Sequence, residues 1–88
     1  NKNILIEYFR DEDGWNIVFH MLFGRRANDA LSRAYASVLS NELGLPVKIT
    51  VTDNGFMLSY QAIEKTKEPD YKMIEGLIKD VNKNNFRD

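Results

Sequence analysis

Residues 24–46, GRRANDALSRAYASVLSNELGLP, carry the clearest structural pattern in this chain. The apolar residues of this stretch recur at the spacing of an amphipathic helix, with charged and small polar residues on the opposite side. The spacing predicts a helix over 26–43, with Gly44 as a left-handed cap and Pro46 preventing continuation. The predicted inner positions are Ala27, Ala30, Leu31, Ala34, Tyr35, Val38, Leu39 and Leu43, and the outer ones are Arg25, Asp29, Ser32, Arg33 and Ser40.

Two runs of strand-forming residues precede this helix. Residues 4–9 predict one strand and residues 15–23 a second, with Asp13-Gly14 as the hairpin turn between them. The second run is apolar on both faces, which is typical of a central strand covered on both sides.

A second hairpin and a second helix follow. Val47 to Thr52 and Phe56 to Tyr60 alternate apolar and polar residues around the turn Asp53-Asn54-Gly55. Asp70, after Pro69, is a predicted helix cap. The apolar positions of that helix are Tyr71, Ile74, Leu77, Ile78 and Val81.

The order β-β-α-β-β-α predicts an α+β fold, an antiparallel sheet of about four strands with helices packed on it. The 88 residues are enough for one domain, 1–88, and they are too few for a two-domain enzyme. The chain opens without an initiator Met and stops at Asn85-Phe86-Arg87-Asp88, where Asn85 could cap another helix. We therefore expect a domain cut from a longer protein.

The amino-acid composition excludes several kinds of functional site. The 12 basic and 13 acidic residues leave a net charge of −1, so any site for a polyanion must be a local patch. The absence of cysteine excludes disulfides and thiolate chemistry, and a single histidine disfavours zinc. Asp11-Glu12-Asp13 is typical of a solvated hairpin tip rather than a metal loop. No long apolar segment or leader is present, so we expect a cytoplasmic protein without membrane contact.

The candidate site is the passage from the second strand into the first helix. Arg25 and Arg26 stand in the first helical turn, where the helix dipole disfavours cations unless an anion binds. Together with free helix amides, Asn28 and Arg33, they could form a phosphate site. Residues 14–34 contain three arginines and one acidic residue, which gives this stretch a net charge of +2. A surface ladder from Arg25 through Asp29 to Arg33 explains the same spacing equally well.

His20 is the other candidate. Its neighbours in sequence offer no nucleophile or carboxylate at a catalytic spacing, so a structural hydrogen bond or a contact to phosphate or a partner is favoured over catalysis. No phosphate loop, Walker lysine or hydrolase signature occurs, and the chain alone is expected to lack ATPase activity.

The run from Trp15 to Leu31 resembles the DEAD/H-associated domain of large helicase-related proteins, in which a strand bearing His leads to Phe-Gly, an Arg, an Asn and a long helix. Gly44 with Val47, the hairpin Thr52 to Leu58 and the end Asn85 to Asp88 also resemble that family. The positions that fit are His20, Phe23, Gly24, Arg26 and Asn28.

The resemblance implies a parent protein that is an ATP-dependent superfamily 2 helicase, a hydrolase of DNA repair, with RecA-like and winged-helix domains. The parent would use ATP and magnesium, whereas this chain would hold no cofactor. It would be the first half of the accessory domain, bracing the motor and contacting single-stranded DNA or an RNA–DNA hybrid through Arg25, Arg26, Asn28, Arg33 and His20. A purely structural docking domain is the alternative.

Overall fold

In the computed structural model, which describes residues 5–63 and 68–85, the chain is a four-stranded antiparallel sheet with two helices. The predicted α+β class and the order β-β-α-β-β-α are confirmed. The elements are β1 Leu5–Arg10, β2 Gly14–His20, α1 Arg25–Leu43, β3 Lys48–Thr52, β4 Gly55–Gln61 and α2 Tyr71–Asn85.

The two hairpins join along their inner strands to give the strand order β1-β2-β4-β3. β2 is therefore central, as predicted, and pairs with β4 from Gly14 opposite Gln61 to His20 opposite Gly55. At the first turn the amide of Asp11 donates to the Gly14 carbonyl at 2.9 Å. Gly14 thus belongs to β2 rather than to the turn.

Both helices lie on one face of the sheet, and the core forms between them. β2 and β4 contribute Ile17, Phe19, Phe56, Leu58 and Tyr60 to this face, and they pack against side chains of both helices. The prediction that β2 is covered on both sides is wrong for the described residues, because Val18 and His20 on the opposite face remain half-exposed. Apolar residues on both faces of a strand are buried on both faces only when a layer of helices or strands covers each face of the sheet.

The helix boundaries follow the predicted stop and start signals. Gly44 ends α1 in the left-handed conformation, with φ 70°, and its amide donates to the Ser40 carbonyl at 2.8 Å. Asp70 caps the start of α2, since its carboxylate accepts a hydrogen bond from the Met73 amide at 2.9 Å. α2 runs through Asn85, so Asn85 does not begin a new helix; the remainder of that prediction, 86–88, lies outside the described residues.

The buried stripe of α1 is rotated from the predicted one. Ala30 is exposed and Ser32 is fully buried, where its hydroxyl donates to the Asp29 carbonyl at 2.7 Å. A serine tolerates burial when its own helix satisfies the hydroxyl. Tyr71, a predicted apolar position of α2, is 77% exposed because it occupies the first turn, beyond the core.

Candidate nucleic-acid interface

The passage from β2 to α1 is held by backbone contacts to the second hairpin. β2 ends at His20, three residues before the predicted end, and the Met21 amide donates to the Asn54 carbonyl at 3.0 Å. Leu22 and Phe23 then project outward and are 81% and 51% exposed. The start of α1 therefore lies beside the β3–β4 turn, at the end of the sheet where His20 stands.

Asn28 is structural in this arrangement. Its side chain is fully buried, and its Nδ2 donates to the Met21 carbonyl at 2.9 Å, which fastens the end of β2 to α1. Its Oδ1 is buried without a hydrogen-bond partner among the described residues. The predicted backbone contact by Asn28 does not fit this position, because the amide is sealed from any external strand.

We expect Asn28→Ala to lower the free energy of unfolding by about 1–3 kcal/mol, because the buried Met21 carbonyl loses its donor. Denaturant unfolding of the variant measures this loss. Asn41→Ala, on the exposed side of the same helix, is the control and should change stability by less than about 0.5 kcal/mol. Equal stability of the two variants would contradict the anchoring role.

The three arginines all lie on the surface, but they differ in whether they form an ion pair. Arg25 Nη1 is 3.6 Å from Asp53 Oδ1, and Arg33 Nη2 is 3.0 Å from Asp29 Oδ2. Arg26 is exposed and forms no ion pair with any residue in 5–63 or 68–85. The predicted ladder is therefore half present: Asp29 pairs with Arg33, whereas Arg25 pairs across to the β3–β4 turn.

The two paired guanidinium groups remain open to solvent. The side chains of Arg25 and Arg33 are 66% and 72% exposed. Exposed pairs of this kind contribute only about 0–1 kcal/mol, so an incoming anion can replace the carboxylate at small cost. At the start of α1, no acidic residue lies in the first turn, and the N-cap residue, Gly24, has no side chain to cap the helix amides. The described charges at this end are thus weakly compensated.

His20 lies on the sheet face opposite the helices. Its Nε2 is 2.9 Å from Glu7 Oε1 of β1, and the two side chains are 43% and 60% exposed. The predicted structural hydrogen bond is thus present, with a partner thirteen residues earlier in the chain. Spacing along the sequence could not reveal it, since the register of β1 against β2 brings the two residues together.

Asp53 and Asn54 are the residues of this region that sequence reasoning missed. The sequence pattern predicts only a turn for them, yet Asp53 contacts Arg25 and the Asn54 carbonyl accepts the Met21 amide. The only available signal was the length of the second hairpin, which places its turn level with the end of β2.

Among the described residues, no cluster of three His, Cys, Asp or Glu side chains is arranged to hold a metal ion. In the same part of the chain, neither helix has the length and apolar character needed to cross a bilayer.

The fold and this junction define a small α+β domain that exposes arginines at the start of its long helix. The chain belongs to the DEAD/H associated family, whose sequence model matches residues 1–88. The resemblance seen in residues 15–31 is thereby confirmed.

Curated relatives carry the same region within much longer chains. The ATP-dependent helicase Lhr-Core of Saccharolobus solfataricus is 48% identical over 86 residues, covering 97% of this chain and 9% of that protein. The protein of that name from Methanocaldococcus jannaschii is 39% identical over 84 residues, covering 96% and 10%. This chain therefore spans at most 10% of the length of these two relatives. No solved structure matches it significantly.

Proposed function

We propose that this chain is an accessory domain of an ATP-dependent superfamily 2 helicase, where it braces the motor and contacts the nucleic-acid backbone. The partners are single-stranded DNA or an RNA–DNA hybrid and the RecA-like and winged-helix domains of the same parent chain, a cytoplasmic protein of DNA repair. ATP and magnesium are held by the motor domains, since this sequence has no phosphate loop. The names of the relatives support the proposal.

The observation that carries the nucleic-acid contact is the state of Arg26. It is an exposed cation in the first turn of a helix, where the dipole opposes positive charge, and no described acid neutralises it. Arg25 and Arg33 add guanidinium groups in weak, exposed pairs, and His20 stands at the same end of the sheet. Contacts of this kind hold phosphates without reading sequence.

We expect Arg26→Ala in the full-length helicase to weaken binding of single-stranded DNA and to lower the salt slope of log K by about one, because one phosphate contact is lost. Fluorescence anisotropy at several salt concentrations measures both quantities. Lys72→Ala, which removes one charge from the exposed surface of α2, is the matched control and should leave the slope unchanged.

Asp53→Asn sharpens the same experiment. The substitution removes the carboxylate charge that pairs with Arg25. We therefore expect it to tighten DNA binding at low salt, whereas Arg26→Ala should weaken that binding. An unchanged affinity and slope in Arg26→Ala would refute the contact assignment.

The pairing of Arg25 and Arg33 with carboxylates favours a second candidate function, a docking domain without nucleic-acid contact. Its arginines would then pair with acids of the motor domains. In that case Arg26→Ala lowers the thermal stability or the coupled ATPase activity of the parent, while its DNA affinity survives.

A further inference from the structure

A groove lies at the end of the sheet away from the arginines, where β2 begins and β4 ends. It has a volume of about 430 Å³, within the size range of ligand pockets. Trp15, Tyr60 and Pro46 are among its lining residues. β3 pairs with β4 only from Lys48 onward, and Pro46, which has no amide proton to extend the ladder, lines the groove just before it.

Two aromatic side chains form part of the wall of the groove. Trp15 is half-buried, with the Arg10 guanidinium 5.9 Å from the centre of its ring. Tyr60 is almost fully buried, and burial together with the charge of Glu68 raises its pKa to about 12. A neutral phenol and an indole beside a proline form the kind of surface that binds extended proline-rich segments.

The rim of the groove is acidic. Asp11 and Asp13 line it, and Glu12 stands between them at the exposed hairpin tip. Although desolvation opposes the change, hydrogen bonds from the amides of Asp13 and Gly14 lower the pKa of Asp11, which keeps its carboxylate ionised. Asp13 and Glu12 form no ion pair with the described residues. Lys48 is the one basic residue in the lining.

We infer that this groove docks an extended segment of a partner protein in which arginine or lysine stands among proline and leucine residues. Charge complementarity selects the occupant: the apolar residues contact the exposed parts of Trp15 and Pro46, and the basic side chain pairs with Asp13 at the rim. A nucleic-acid strand is disfavoured here because the acidic tip repels phosphates. The length of β2 separates the groove from His20 by roughly 20 Å, so a peptide in the groove and a nucleic-acid strand at the arginines can be bound at the same time.

The inference is independent of the proposed nucleic-acid contact and is tested by fluorescence anisotropy on the full-length protein. The probe is a short labelled peptide of proline and leucine carrying arginines, compared with the same peptide carrying glutamates. We expect the wild-type protein to bind the arginine peptide and not the glutamate peptide. Asp13→Lys should weaken that binding by about tenfold, since it replaces an attraction with a repulsion.

Glu75→Lys, the same charge reversal on the exposed surface of α2, is the control and should leave peptide affinity unchanged. Asp13 lies in an exposed turn and contributes only its backbone amide to the hydrogen bonds there, so Asp13→Lys should fold normally; its circular dichroism spectrum checks this. Failure of the wild type to bind the arginine peptide, or equal binding by Asp13→Lys, would overturn the inference. So would tighter binding of a single-stranded oligonucleotide by Asp13→Lys with peptide affinity unaltered, which would mark the groove as a nucleic-acid site.

Discussion

We expect Gly55→Ala to destabilise the chain by more than about 3 kcal/mol, a large share of the roughly 5–15 kcal/mol that stabilises a domain. Gly55 has a φ of +152° and lies opposite His20 in the β2–β4 pair. A Cβ at this position would stand 1.9 Å from the Phe19 carbonyl oxygen and 3.1 Å from the Met21 nitrogen. These are backbone atoms of the central strand, and they cannot move aside without breaking the ladder.

Gly14→Ala tests the same close approach at the other end of the pair, where a Cβ would meet the Tyr60 carbonyl oxygen at 2.1 Å. Gly76→Ala is the matched control, because open space surrounds that position inside α2. Alanine there should raise stability by about 0.5–1 kcal/mol through helix propensity. Denaturant unfolding followed by circular dichroism compares the three variants, and a Gly55→Ala protein as stable as wild type would show that the strands do not approach as described.

Phe19→Ala is expected to cost about 3–5 kcal/mol. Phe19 is fully buried at the centre of the core, with its ring stacked on Phe56 at 4.6 Å between centroids. It also meets the ring of Tyr35 edge-on at 5.0 Å. The variant removes both ring contacts and leaves a cavity between sheet and helix that rigid neighbours cannot fill.

Phe23→Ala makes the same chemical change four residues later, at a side chain that is 51% exposed. It should alter the free energy of unfolding by about 0.5 kcal/mol or less. Thermal and denaturant unfolding of the two variants measure the difference. Similar losses in both would mean that Phe19 does not occupy the centre of the core.

Local signals in the sequence predicted the elements well. Gly44 with Pro46 marked the end of α1, and Asp70 after Pro69 marked the start of α2, because backbone conformation and capping depend on neighbours within a few residues. Periodicity predicted the helical span but not its rotation. A hydropathy pattern counts serine as polar and places Ser32 on the outer side of the helix. Ser32 is nevertheless buried, because its hydroxyl donates a hydrogen bond to a carbonyl of its own helix.

The candidate site was predictable only in part. The cluster Arg25, Arg26 and Arg33 is visible in the sequence, since three cations lie within nine residues. Its electrostatic state is not, because Asp53 reaches Arg25 from another hairpin. Asn28 shows the limit most clearly: next to arginines it reads as a ligand-binding amide, yet it is fully buried and bound to Met21.

Local patterns in the chain fix the element order, the helix ends, the family and the location of the basic cluster, because each depends on spacing or residue type along a short stretch. Four features are visible only in the folded chain: both helices cover one face, His20 pairs with Glu7, Asn28 is fully buried, and the acidic hairpin tip borders a groove. These features arise where one element packs against another, as when the β1–β2 register brings His20 to Glu7 and α1 closes over the end of β2. Their geometry depends on strand register and packing, which no local pattern encodes.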